Sequence, residues 1–127
     1  MTHALMTRLG AGFMFLAVGL GAFGAHALKE KLGSDMLAIW ETGVKYQVYH
    51  ALALLLLAAL RGPSKAAWCF AAGIVLFSGS LYVLALTGVK KWGAVTPFGG
   101  ILFLAGWLIL LFQRASSADS VLSRLNL

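Results

Sequence analysis

The chain predicts an all-α fold, an integral membrane four-helix bundle, on three observations. Apolar stretches at about 9–28, 42–60, 66–87 and 93–112 each have the length of a bilayer crossing, which takes roughly 20 apolar residues in a helix. The gaps between them are short and charged, so each helix returns against its predecessor. Hydrophobic residues make up 61% of the chain and charged residues 11%, whereas soluble proteins average about 45–50% and about 25%. A soluble domain could not hide that much apolar surface. Residues 1–127 are therefore read as a single transmembrane domain.

The first stretch opens with Arg8 and carries Ala25-His26-Ala27 near its end, which imitates a secretory signal with its cleavage site. We read it as the first spanning helix. Ala17, Gly21 and Ala25 fall four apart and form a small-residue ridge that lets a neighbouring backbone come close. Residues 29–41 follow. They interleave Lys29, Glu30, Lys31, Asp35 and Glu41 with Met36, Leu37, Ile39 and Trp40, which predicts a short interfacial helix between helices one and two. Ser34 or Asp35 is its expected cap, and Trp40 is expected at headgroup depth. Arg61-Gly62-Pro63-Ser64-Lys65 reads as a tight turn into helix three. After Lys90-Lys91-Trp92, Thr96-Pro97 offers a second start for helix four, with Thr96 as cap and Pro97 at the first helical position. Beyond Arg114, Val121, Leu122 and Leu125 suggest a short amphipathic turn on the membrane surface.

Ten Lys and Arg against four Asp and Glu give a net charge of +6. The cations sit at helix ends rather than in one patch, which points to membrane lipids as partners and away from nucleic acid. One side carries Arg8, Arg61, Lys65, Arg114 and Arg124; the other carries Lys29, Lys31, Lys90 and Lys91, with Lys45 just inside. The amino terminus tips this even balance towards both termini being cytoplasmic. The lone cysteine, Cys69, reads as a small buried hydrophobe.

Polar side chains inside the spans gather in one half of the membrane. His26 ends helix one. Glu41, Lys45, Tyr46, Gln47, Tyr49 and His50 open helix two, and Ser78 and Tyr82 stand near the end of helix three. At 100° per residue Glu41, Lys45 and Tyr49 share one face of helix two, Tyr46 and His50 a neighbouring face, and Gln47 a third. Such a surface cannot face hydrocarbon unpaired. These nine residues are the candidate ligand-binding set, with His50 the deepest ionisable group. A satisfied network that only ties helices together is the plainer reading of the same residues. His26 and His50 are expected at one level. A metal would need a third ligand, with Glu41 the only acid nearby, and no H-x-x-H or C-x-x-C spacing occurs, so no metal or other cofactor is expected. No G-x-S-x-G or H-E-x-x-H motif is present, and no catalytic residue is assigned. The function expected is that of a non-enzymatic binding or accessory protein with a polar pocket. The alternative is a small proton- or solute-conducting transporter or channel, as a dimer, with His50 as its titrating group.

The strings Gly21-Ala22-Phe23-Gly24-Ala25-His26, Trp40-Glu41-Thr42-Gly43-Val44-Lys45-Tyr46-Gln47-Val48-Tyr49-His50, Leu76-Phe77-Ser78-Gly79-Ser80-Leu81-Tyr82, Thr96-Pro97-Phe98-Gly99-Gly100 and Gly106-Trp107, in this order, resemble the family called domain of unknown function 423. Its members are small four-helix proteins of the bacterial inner membrane, related to a transmembrane protein of animal mitochondria. The resemblance implies four helices and an inner-membrane location. It implies no reaction. The partners left open are membrane lipids, a second copy of the chain and another membrane protein.

Overall fold

A computed structural model of the chain describes residues 1–113, together with residues 122 and 125. Every regular element among the described residues is helical, in four membrane-length helices: α1 (His3–Leu28), α2 (Ser34–Leu60), α3 (Ser64–Thr87) and α4 (Lys90–Leu111). The amphipathic turn expected around Val121 lies outside the described residues, as do Arg114 and Arg124.

The helix ends follow local chemistry. Thr2 caps α1, its hydroxyl accepting the Leu5 N–H at 3.0 Å. Arg61 ends α2 in the left-handed conformation (φ 53°), and the Gly62 N–H closes the turn on the Leu57 carbonyl at 2.7 Å. A Cβ on Gly62 would stand 2.5 Å from the end of the Leu57 side chain, which would have to shift to admit it. Gly88 ends α3 at φ 70°.

Two expectations about the connectors change. No separate interfacial helix precedes helix two: residues from Ser34 onward are the first turns of one continuous 27-residue α2, with Gly33 rather than Ser34 or Asp35 at its cap. Nothing between Ser34 and Leu60 removes a backbone donor, so the interfacial segment runs straight into the span. Trp40 is buried against α1, where its indole N–H donates to the Leu20 carbonyl at 2.9 Å. At the start of α4, Lys90–Ala94 form a 3-10 turn and the α-helix begins at Thr96, one residue before the second of the two expected starts, with Val95 at its cap and Pro97 as its second residue. Thr96 does not cap it; its hydroxyl pairs with Ser80 at 2.6 Å.

Neighbours in sequence are neighbours in space. α1 packs on α2, α2 on α3, and α3 on α4. Within the spanning windows 39% of α2 and 50% of α3 is buried, against 17% for each of α1 and α4. The middle helices therefore form the core and the outer two present broad faces to lipid. The main apolar core joins Met6, Leu54, Leu57, Phe70, Ile74 and Phe103.

Glycines set the helix spacing, as expected where lipid supplies no hydrophobic drive between helices. A Cβ at Gly99 would lie 2.4 Å from the Phe77 backbone nitrogen, one at Gly73 2.5 Å from the Phe103 ring, and one at Gly106 2.6 Å from the Phe70 ring. On α1, Gly10 meets the Ala51 carbonyl and Gly24 the Trp40 indole in the same way. Of the small-residue ridge expected on α1, Ala17 is buried and Gly21 half-buried, whereas Ala25 is exposed.

Within α3, Ile74–Ser78 are wound as a wide π turn. The buried positions Phe70, Ile74 and Ser78 come in two successive steps of four. In a regular α-helix those steps drift by about 80°; the wide turn absorbs the drift and keeps all three on one face.

Adjacent glycines give the sharpest test of this packing. Gly99→Ala is expected to lower unfolding stability in detergent by about 1–3 kcal/mol through overpacking. Gly100→Ala, whose Cβ would meet only the Phe77 ring at 3.9 Å, is expected to be neutral or to stabilise by up to about 1 kcal/mol through helix propensity. Equal effects in denaturant titrations would refute the packing account.

Candidate functional site

The inward face of α2 carries Trp40, Gly43, Gln47, His50, Leu54 and Leu57, all buried and spaced three or four apart. Trp40 lies over Gly24, with its ring 4.7 Å from that of Tyr82 and 6.1 Å from that of Phe23. One turn further in, the Ser78 hydroxyl donates to the Gly43 carbonyl at 2.7 Å. Gln47 joins three helices. Its Nε2 donates to the Phe13 carbonyl at 2.8 Å, and its Oε1 accepts the Tyr82 hydroxyl at 2.7 Å.

His50 is held at both ring nitrogens. Nε2 lies 3.0 Å from Trp107 Nε1, and Nδ1 lies 2.8 Å from the Tyr46 carbonyl oxygen. An indole nitrogen can only donate, so His50 Nε2 accepts and the proton resides on Nδ1, which donates to Tyr46. The imidazole is thus a neutral bridge from α2 to α4. The Phe103 ring stacks on it at 3.6 Å.

Among the described residues no buried side-chain nitrogen or oxygen lacks a hydrogen-bond partner. The polar groups on this face are satisfied by backbone carbonyls and by side chains of the neighbouring helices, as a bilayer interior demands. No group of three His, Cys, Asp or Glu that could hold a metal occurs among the described residues.

The nine candidates do not form one pocket. Gln47, His50, Ser78 and Tyr82 belong to the inward network. Glu41, Lys45 and Tyr49 are exposed on the outer face of α2; Glu41 and Lys45 line a separate pocket of ≈ 200 Å³ with Gly21, Trp40 and Val44. His26 is exposed and does not share a level with His50. Gly24 packs on Trp40, which puts His50 ten residues, or about 15 Å, further along α2. The mismatch arises because α2 starts at Ser34 rather than near residue 42.

Tyr46 borders a different feature, a cleft of ≈ 430 Å³ between α2 and α4. Tyr46, His50, Phe77, Phe103 and Trp107 supply its aromatic lining, with Gly100 leaving room at one side. Its rim includes Ile101 and Leu104, 62% and 66% exposed, so it opens sideways onto the bilayer.

Sequence reasoning missed Trp107 as the partner of His50; Ser80 and Thr96, polar residues at the same end of the bundle, pair with each other. A donor was legible in α4: an indole N–H in the middle of an apolar span needs an acceptor from another helix.

A family model described as "Protein of unknown function (DUF423)" matches residues 20–100. Among curated proteins, the chain is similar to a UPF0382 membrane protein of Staphylococcus epidermidis, 50% identical over 115 residues that cover 87% of this chain and 94% of that protein. A UPF0382 membrane protein of Staphylococcus haemolyticus is 47% identical over 114 residues, covering 86% and 93%. A third, from Bacillus subtilis, is 47% identical over 110 residues, covering 81% and 89%. No solved structure matches.

The split between inward and outward candidates is measurable. Tyr82→Phe leaves the Gln47 oxygen without its donor and is expected to cost about 1–2 kcal/mol of unfolding stability. In a double-mutant cycle with Gln47→Leu the coupling is expected at about 0.5–1.7 kcal/mol. Glu41→Gln and Lys45→Gln, both on the exposed face, are expected to stay within about 0.5 kcal/mol of wild type. Zero coupling in the cycle would show that the two side chains do not act together.

Proposed function

We propose that this chain, which belongs to the DUF423 family of membrane proteins of unknown function, is a non-enzymatic binding protein that takes a flat apolar molecule from the bilayer into the cleft between α2 and α4. The supporting observation is the cleft itself. Its volume, ≈ 430 Å³, falls within the roughly 300–1,000 Å³ of small-molecule sites. Aromatic rings wall it, and its mouth opens to hydrocarbon rather than to water. Rings offer large contact area with few rotatable bonds, which suits a planar apolar guest.

The reading replaces a polar pocket with an aromatic one. The two polar rings of its lining that belong to the network, His50 and Trp107, are already paired with each other, so they shape its wall rather than wait for a headgroup. The non-enzymatic part of the reading rests on the buried hydroxyls: Ser78 donates to the Gly43 carbonyl and Ser80 to that of Phe77, not to a base. No observation favours conduction, since His50, the ionisable group that would have to titrate, is engaged at both nitrogens.

We infer a bacterial inner-membrane location from the family resemblance, with both termini cytoplasmic from the Arg8 end of α1. The partners this reading carries are membrane lipids, with a second copy of the chain or another membrane protein against the exposed faces of α1 and α4. Nucleic acid is not among them.

The cleft is tested by photolabelling the full chain in liposomes with an aryl diazirine. Saturable labelling of residues 97–107 is expected, and Gly100→Leu, which fills the cleft, is expected to abolish the saturable part with the thermal midpoint unchanged. Labelling that rises linearly with probe, or that survives Gly100→Leu, sinks the proposal. For orientation, a carboxy-terminal fluorescent-protein fusion is expected to be bright and the matching alkaline phosphatase fusion inactive. The reverse pattern would invert the topology.

A further inference from the structure

A second apolar groove lies on the outer face of α1, away from the α2–α4 cleft. Its volume is ≈ 370 Å³, and Arg8, Leu9, Gly12, Phe13, Phe15 and Leu16 line it. Gly12 creates it. A Cβ there would meet nothing within 4 Å, so the missing side chain leaves a notch between the exposed Arg8 and the exposed rings and branches of Phe15 and Leu16.

The groove has a polarity. His3 Nε2 lies 3.4 Å from the Gly62 carbonyl oxygen in the α2–α3 turn, so Arg8, five residues on, stands about 7.5 Å along the helix from that end. Phe15 and Leu16 are deeper still. The one cation of the groove is thus at its shallow end, within reach of the headgroup layer by snorkelling, and the apolar part runs towards the bilayer centre. Among the described residues Arg8, Arg61 and Lys65 occupy this end of the bundle with no acid beside them, whereas Glu30, Asp35 and Glu41 share the opposite end with Lys29, Lys31, Lys45, Lys90 and Lys91.

We propose that this groove is a binding site for an anionic phospholipid. The phosphate is held by the Arg8 guanidinium, whose planar fork suits a phosphodiester, and one acyl chain lies in the notch over Gly12, against Phe13, Phe15 and Leu16. A zwitterionic lipid can place its chain there but presents a balancing cation to Arg8, so the site selects for net negative headgroups.

The test uses the full chain in detergent micelles, titrated with phosphatidylglycerol or phosphatidylcholine of matched chains and read by native mass spectrometry. Wild type is expected to retain phosphatidylglycerol preferentially. Arg8→Gln is expected to lower that preference about fivefold, the effect of one basic residue near an anionic surface, while Arg8→Lys keeps most of it. Gly12→Leu, which fills the notch in open space, is expected to lower retention of both lipids with an unchanged thermal midpoint. Lys65→Gln, at the same end but outside the groove, serves as the charge control. An unaltered preference in Arg8→Gln overturns the site, and so does an equal fall in Lys65→Gln. Full retention by Gly12→Leu overturns the placement of the acyl chain. None of these outcomes bears on the α2–α4 cleft.

Discussion

The structure depends on one requirement, that the polar face of α2 be closed off by hydrogen bonds from other helices. Hydrocarbon offers no partner to an amide or an imidazole. Gln47 meets this requirement by spanning the Phe13 carbonyl on α1 and the Tyr82 hydroxyl on α3, and His50 by reaching Trp107 on α4. These bonds fix the rotation of α2 with respect to all three neighbours. They also explain why α2 is a middle helix: with polar groups pointing in two directions, it cannot sit at an edge without leaving one of them in lipid.

Close approach makes those bonds possible. The reach of a glutamine or tyrosine is short, so backbones must come near, and glycine at the contact lets them. Gly43 serves both purposes. A Cβ there would stand 2.8 Å from the Tyr82 ring, and the same residue's carbonyl accepts the Ser78 hydroxyl. Packing and polar satisfaction are therefore two views of one interface. The wide turn at Ile74–Ser78 belongs to it too, since it keeps Ser78 in phase with Phe70 and Ile74.

Much of the fold was legible because it follows from composition: the spans, their short connectors and the polar start of helix two. The fates of individual polar residues were not. Glu41, Lys45 and Tyr49 were grouped with Gln47 and His50 because the early turns of helix two are polar on every face. The face itself was readable one step further on. Gly43, Gln47, His50, Leu54 and Leu57 continue a single three-and-four series into apolar sequence, and only that series can point inward. The displaced level of His26 has a different origin, a helix start set too late by treating charged residues 34–41 as outside the span. Local charge says where a helix meets water; it does not say where the helix ends.

A closed polar network and an open aromatic cleft lie side by side at His50, and this arrangement limits what the chain can recognise. Any ligand that sought a hydrogen bond from His50 would have to displace the Trp107 indole, leaving that N–H without a partner in a dry interior, at a cost of about 1–3 kcal/mol. A ligand that stacks on the aromatic wall displaces only lipid. Discrimination in the cleft therefore rests on shape and ring contact, while discrimination by charge falls to the helix ends, where cations such as Arg8 remain exposed. The two kinds of recognition are kept apart by depth, because a charge is cheap to expose at the headgroups and expensive to expose near Gly100 and Phe103.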